Sequence, residues 1–200
     1  MTRAQEPARH RTRSADVTDS LMDAAAALLA ESGPEALTVR AVATRADVAP
    51  MGVYSRFGGK PGLLEALFVQ GFADLHAAIG SARGADALTR LRNGCRAYRE
   101  FAVANPHAYR LMFDQMLELE LSEESLAQAA ATFGQLVERV ADAMEAGLID
   151  RGDETEVAQQ IWSALHGGVS LELIGVSFAA DPKRNFAAMV DTLLRGLASS

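Results

Sequence analysis

Apolar residues recur along this chain every three or four positions, and no alternating Val/Ile/Thr run of strand length occurs. Leu21, Ala24, Ala25, Leu28 and Leu29 form one stripe, which predicts a first helix beginning near Val17 or Thr18. Ser32-Gly33-Pro34 stops it, with Gly33 at the C′ position. Thr38 suits the N-cap of a short second helix over Val39–Arg45, with Val42 facing inward. After Asp47 a third short helix runs through Pro50 to Phe57, the proline in its first turn, where a missing N–H is harmless. Gly58-Gly59 breaks the chain again, and Lys60-Pro61 opens a longer fourth helix bearing Leu63, Leu64, Leu67, Phe68, Phe72 and Leu75.

Five more helices follow. Leu88, Leu91, Cys95 and Tyr98 trace a face of the fifth, and Asn105 is placed to cap a sixth carrying Tyr109, Met112, Phe113 and Met116. A seventh holds Leu126, Phe133, Leu136, Val137, Val140 and Met144. The eighth is expected from about Asp153 to Phe178, apolar nearly all round from Ile161 onward. The ninth shows Phe186, Met189, Val190, Leu193, Leu194 and Leu197 at helical spacing. The expected fold is all-α, about nine helices in two parts. Residues 1–15 read as a flexible basic arm, 16–61 as a three-helix head and 62–200 as a larger bundle. A helix apolar on every side must be covered on every side. A second copy of the chain is the economical cover, the alternative being a central helix of a monomeric bundle.

Composition narrows the picture. With 49% apolar residues the chain can bury a core, and with 6% aromatics and abundant Ala and Leu it favours helices. No stretch of membrane-spanning length is free of charge, so no membrane partner is expected. The single cysteine, Cys95, excludes an intrachain disulfide and suits a reducing cytoplasm. The net charge of −7 argues against a nucleic-acid partner until it is divided: residues 1–60 hold eight Lys/Arg against seven Asp/Glu, the remainder eleven against nineteen. Positive charge therefore gathers at one end, most densely at Arg9, His10, Arg11 and Arg13, and such local arrangement decides an electrostatic footprint.

Two short helices joined by a tight turn and preceded by a longer one form a helix-turn-helix module, which sets the outward face of its third helix against base edges in a major groove. Met51, Gly52, Tyr54, Ser55 and Arg56 take those outward positions, with Val42, Val48, Val53 and Phe57 as the small core. The stretch from Thr18 to about Phe68 resembles the N-terminal domain of the tetracycline-repressor (TetR) family. The resemblance rests on Thr38 opening the second helix, the turn Ala46-Asp47-Val48, the run Tyr54-Ser55-Arg56-Phe57, and Lys60 opening the fourth helix. Asp47 replaces the usual turn glycine, and Arg56 the usual histidine. Aspartate tolerates the left-handed conformation better than most residues, so the turn is expected to survive.

The resemblance implies double-stranded DNA as a partner. Thr38 and Tyr54 would hydrogen-bond phosphates, and Lys60 would meet a phosphate at a helix start. Arg40, Met51, Gly52 and Ser55 would approach bases, Pro50 would lie on the sugar–phosphate wall, and Arg56 would add a phosphate or base contact. Arg9, Arg11 and Arg13 would reach an adjacent backbone or minor groove.

The run Phe101-Ala-Val-Ala-Asn-Pro-His-Ala-Tyr-Arg-Leu-Met-Phe113 and the later Trp162…His166-Gly167 resemble a C-terminal TetR subtype. That implies a cavity for a small lipophilic or aromatic effector, with Phe72, Tyr98, Phe101, Tyr109, Met112, Phe113, Met116, Trp162 and His166 as wall candidates, and His76 and Glu172 beside them. The same resemblance implies a homodimer through the last two helices, with Leu171, Ile174, Phe178, Met189 and Leu193 at the seam. Gly167-Gly168 would allow close helix approach there. The implied activity is a transcriptional repressor released from a pseudo-palindromic operator by its effector.

An enzyme is the competing class, and a helical interaction module independent of DNA a third. His10, His76, His107 and His166 show no metal-ligand spacing, and neither a nucleophile motif nor a phosphate-binding glycine loop occurs. No catalysis, cofactor or metal is expected.

Overall fold

A computed structural model describes residues 14–198 of the chain. Arg3, Arg9, Arg11 and Arg13 of the expected arm lie outside the described residues. All regular structure among the described residues is helical: α1 Ser14–Ser32, α2 Val39–Arg45, α3 Met51–Phe57, α4 Lys60–Gly80, α5 Ala87–Ala104, α6 Pro106–Phe113, α7 Glu123–Glu145, α8 Glu154–Leu173 and α9 Pro182–Gly196, with 3-10 turns at Pro34–Ala36 and Met116–Glu118. The chain divides into two compact units between Ala66 and Leu67. That boundary lies inside α4, not at its start, because the first turns of α4, with Leu63 fully buried, belong to the first unit.

In the first unit α1 starts before the first apolar residue of its stripe and takes in Ser14 and Ala15, which were expected in the arm. Asp16 sits in its first turn, where the helix dipole favours a carboxylate. Gly33, at φ 75°, ends the helix and donates from its N–H to the Leu29 carbonyl at 2.9 Å. The Thr38 hydroxyl oxygen caps α2 by accepting from the Ala41 N–H at 3.1 Å. Past α2 the Val48 N–H reaches the Ala43 carbonyl and the Asp47 N–H reaches Thr44, the paired bonds of a Schellman stop. That motif needs a left-handed residue. Asp47 supplies it at φ 53°, the one non-glycine with positive φ among the described residues. Pro50 is the N-cap of α3 rather than a member of its first turn. Leu21, Ala25, Leu29, Leu37, Val42, Val53 and Leu63 make the buried core, while Val48 and Phe57 are only half-buried.

In the second unit α7 packs along α5 and α8, and α9 covers α5 and α8. Leu91, Cys95, Val140, Ile161, Val169 and Val190 fill the centre. By length and composition α4 could cross a membrane, but Phe68, Phe72, Leu75 and Ile79 along it are buried in this core. Three local expectations need correction. The Asn105 side chain does not cap α6; its amide donates back to the Phe101 carbonyl at 2.9 Å. Met116 lies in the 3-10 turn after α6, not on that helix. And α8 stops at Leu173, well short of Phe178. Gly175 at φ 76° closes a second Schellman stop, with the Val176 N–H on the Leu171 carbonyl and its own N–H on Glu172.

Two turns of the first unit carry opposite expectations. Replacing Asp47 by glycine removes a left-handed side-chain cost, so urea unfolding should show a gain of about 0.5–1 kcal/mol; a loss would mean that the carboxylate itself holds the turn. At Gly62 a Cβ would lie 2.0 Å from the Phe57 carbonyl oxygen, a backbone atom that cannot swing aside. Gly62→Ala should cost about 2 kcal/mol or more, and an unchanged midpoint would refute that steric reading.

Candidate functional site

The first unit brings several polar groups from three helices together at its surface. Thr38, Arg40, Pro50, Tyr54 and Lys60, with Val39, line a single surface depression. They come from the start of α2, the N-cap and second turn of α3, and the first residue of α4. The Thr38 oxygen accepts from the Ala41 N–H, so its own proton remains to be given to an acceptor outside. Arg40 is exposed with no ion-pair partner among the described residues, whereas Arg45 is matched by Glu31 at 2.6 Å. Met51 and Tyr54 stand out from α3, 71% and 53% exposed, and Ser55 is exposed with its hydroxyl donating to the Gly52 carbonyl. The Tyr54 ring lies over Gly59, whose φ of 126° lets the chain pass close beneath it.

Two residues expected on this outer face are placed differently. A Cβ at Gly52 would meet Val48 Cγ1 at 2.7 Å and Leu21 Cδ1 at 4.0 Å, so this position faces the core, and glycine lets α3 close onto its neighbours. Arg56 is half-buried. Its Nε donates to the Thr18 hydroxyl at 3.1 Å and its Nη1 to the Gly52 carbonyl at 3.4 Å, which braces α3 against α1.

The second unit encloses a cavity of about 410 Å³, in the range of small-molecule sites. Phe72, Tyr98, Phe113, Met116, Trp162 and His166, all expected as wall residues, line it. Leu126, 43% exposed, stands at the rim. Phe101, Tyr109 and Met112 do not line it. Phe101 packs half-buried against the core, and Met112 is fully buried with its sulfur 2.7 Å from where a Cβ on Gly71 would stand. His76 is exposed, 3.3 Å from the Gln135 amide. Glu172 is held by Arg99 in a two-pronged ion pair, with Nε–Oε2 at 2.8 Å. The resemblance implies a cavity among helices five to eight, but none of the wall candidates lies on α7, which contributes Leu126, Ala129, Thr132, Phe133, Leu136 and Arg139.

Tyr109 supports the wall from behind. Its hydroxyl lies 2.7 Å from both the Tyr98 hydroxyl and His166 Nδ1. With His166 neutral and protonated on Nε2, Tyr98 donates to Tyr109 and Tyr109 donates to Nδ1, a directed chain from α5 through α6 to α8. Burial lowers the His166 pKa from its ordinary value, opposed by Asp114, and so keeps Nδ1 an acceptor. Burial likewise pushes the Tyr98 phenol up to about 12 and raises Tyr109 further. Around them Phe113, Phe133 and Trp162 stack edge to face or tilted.

The expected seam residues fall into two groups. Leu171, Ile174 and Phe178 are exposed, at 53%, 62% and 102%, and Val176 joins them. Met189 and Leu193 are half-buried and pack against the core of the second unit. Gly168 serves that packing too: a Cβ there would meet Met189 at 3.3 Å and Phe186 at 3.4 Å, whereas Gly167 faces open space.

Comparison with known proteins follows the two units. Residues 21–67 match the family model for bacterial regulatory proteins of the tetR family, and residues 91–193 match that for a tetracyclin repressor-like C-terminal domain. An uncharacterised HTH-type transcriptional regulator of Mycobacterium tuberculosis is 28% identical over 182 residues, 90% of this chain and 80% of the relative. A solved structure of a Rhodococcus sp. RHA1 protein of unknown function superposes with TM-score 0.85 at 27% identity, over 98% of this chain and all of the other. A tetR-family regulatory protein from Rhodococcus RHA1 shares the fold at TM-score 0.69 and 24% identity, covering 94% and 99% of the two chains.

The lowered His166 pKa makes stability depend on pH. The unfolded chain takes up a proton below about 6.5, while the folded chain resists it, so stability is full above that pH and falls as pH drops toward the folded pKa. The melting temperature should fall between pH 7 and 5, and His166→Gln should flatten part of that slope. Equal slopes in the two proteins would remove His166 as the cause.

Proposed function

Because this chain belongs to the tetR family of bacterial transcriptional regulators, we propose that it is a repressor that binds a pseudo-palindromic operator as a homodimer and leaves it when a small lipophilic or aromatic effector fills the cavity of the second unit. The observation that carries this reading is the convergence of Thr38, Arg40, Pro50, Tyr54 and Lys60 on one depression beside the exposed face of α3. The Thr38 and Tyr54 hydroxyls and the Lys60 ammonium are donors suited to phosphate oxygens, and such contacts set register on the duplex. Arg40, with no internal partner among the described residues, is free to fork onto a guanine edge, while Met51 and Ser55 meet bases from α3. Gly52 contributes by letting α3 seat on its core, and Arg56 by fixing α3 on α1.

Reading a two-fold site requires two copies. Leu171, Ile174, Val176 and Phe178 leave a run of apolar surface at the end of α8, which supports a seam there with Met189 and Leu193 of α9 at its margin. Two-fold symmetry then places the half-sites about one helical turn apart or a multiple of it. Helix α4 begins in the first unit and ends with Phe72, Leu75 and Ile79 on the cavity wall. A ligand that repacks those residues can bias α4, by no more than its difference in affinity for the two states. This activity belongs to the cytoplasm, with the DNA, and calls for no catalysis or cofactor.

Selection of bound sequences from a random duplex pool should return a two-fold symmetric site whose affinity falls steeply with salt. On that site Arg40→Ala should cost about 1–3 kcal/mol and relax one position per half-site. Tyr54→Phe should weaken all sequences alike. No enrichment from a folded dimer would refute the repressor reading.

A further inference from the structure

The cavity wall is mostly apolar and aromatic, and it carries formal charge at one place. Arg139 of α7 is its one formally charged side chain among the residues that line it. Its Nη1 donates to the Arg90 carbonyl at 3.0 Å and its Nη2 to the Ile79 carbonyl at 2.7 Å. A guanidinium carries five N–H donors, so these two bonds fix its plane and leave three donors uncommitted. No carboxylate among the described residues forms an ion pair with it. Asp142 is the acidic group near enough to act on it, and Asp142 already lies 3.9 Å from Arg90. Burial first, then the cations Arg90 and Arg83, lower its pKa, opposed by Cys95 and Asp142. A half-buried cation among cations, facing an apolar space, is electrostatically under-compensated.

The opposite end of the space is of another kind. Arg139 stands at the level of Ile79 on α4 and of Leu91 on α5; Phe72 and Tyr98 lie two turns away on the same helices, about 10 Å along their axes. There the wall is Phe72, Phe113, Phe133, Trp162 and the neutral His166. The cavity is therefore cationic at one end and uncharged, largely aromatic, at the other.

We propose that this cavity selects an anionic amphiphile, a lipophilic carboxylate whose head group pairs with Arg139 and whose apolar body lies along the aromatic wall. This rests on the effector reading of the same cavity and names the chemistry it selects. A carboxylate offers two oxygens to a planar fork whose orientation the two carbonyl bonds have already set, so the pairing needs little further ordering. A cationic amphiphile would meet Arg139, Arg90 and Arg83 together. A neutral one would leave the guanidinium as it is.

The test uses the full chain and three probes of one chain length, decanoate, decanol and decylamine, each read by the fluorescence of Trp162, the single tryptophan, which stands in the cavity wall. Decanoate should bind roughly ten- to a hundredfold more tightly than decanol, the gain of a hydrogen bond to a charged group, and decylamine more weakly than either. Arg139→Gln should bring decanoate down to the decanol level with decanol itself little changed, and Arg139→Lys should restore part of the preference. Thermal melts without probe establish that each variant is folded. Equal binding of acid and alcohol to the natural chain, or a preference that survives Arg139→Gln, overturns the carboxylate proposal and leaves an effector cavity for neutral molecules. If no probe disturbs Trp162, the carboxylate proposal falls, and release of the selected operator by aromatic compounds decides the effector reading separately.

Discussion

Two buried hydroxyls in the second unit, those of Tyr98 and Tyr109, meet each other and the Nδ1 of half-buried His166. Each would cost free energy if left alone among Phe72, Phe113 and Trp162. Because the three residues come from α5, α6 and α8, their mutual satisfaction fixes the register of those helices, which hydrophobic burial alone leaves looser. It also sets what the cavity offers. One wall is aromatic with its polar atoms turned toward each other, and the uncommitted donors are left to Arg139 on α7. Rigidity at one end and an unmet charge at the other arise from the same shortage of polar partners.

The first unit solves a different problem. Its helices α2 and α3 have seven residues each, too few to be stable by themselves, so their placement depends on stops and close contacts. The Thr38 cap, the Asp47 turn, the bare flank of Gly52 and the bond from Arg56 to Thr18 each remove one freedom of α3. What α3 leaves exposed, Met51, Tyr54 and Ser55, is small in number and held in place by that frame.

Much of this was legible in the residues. Gly33, Thr38 and Gly58-Gly59 mark helix ends by local chemistry, and the 3.6-residue spacing of the longer helices places them within about a turn, the end of α8 excepted. The aspartate at position 47 was readable as a left-handed residue for the same reason. Over seven residues, however, the facing of α3 is barely defined, and Gly52 and Arg56 turned out to face the unit's own helices. The α8 stop was hidden by its surroundings: Gly175 lies within an apolar run from Leu171 to Phe178 that reads as uninterrupted helix. The cavity was half legible. An apolar stripe such as Leu126, Phe133 and Leu136 looks the same whether it meets a core or a space, and Arg139 looks like a solvated charge. The Tyr98, Tyr109 and His166 contacts span up to 68 positions, beyond any periodic signal.

Cys95 lies in the same cavity wall, buried, with burial pushing its thiol up to about 12. Only the thiolate attacks electrophiles. At neutral pH this sulfur is therefore silent while the bundle is closed, and it ionises readily only when water enters. As the single cysteine of the chain, it turns exposure of the interior into a covalent record. A thiol reagent added to the intact protein accumulates on one atom at a rate set by how often the bundle opens, and an occupant that holds the walls together slows that clock.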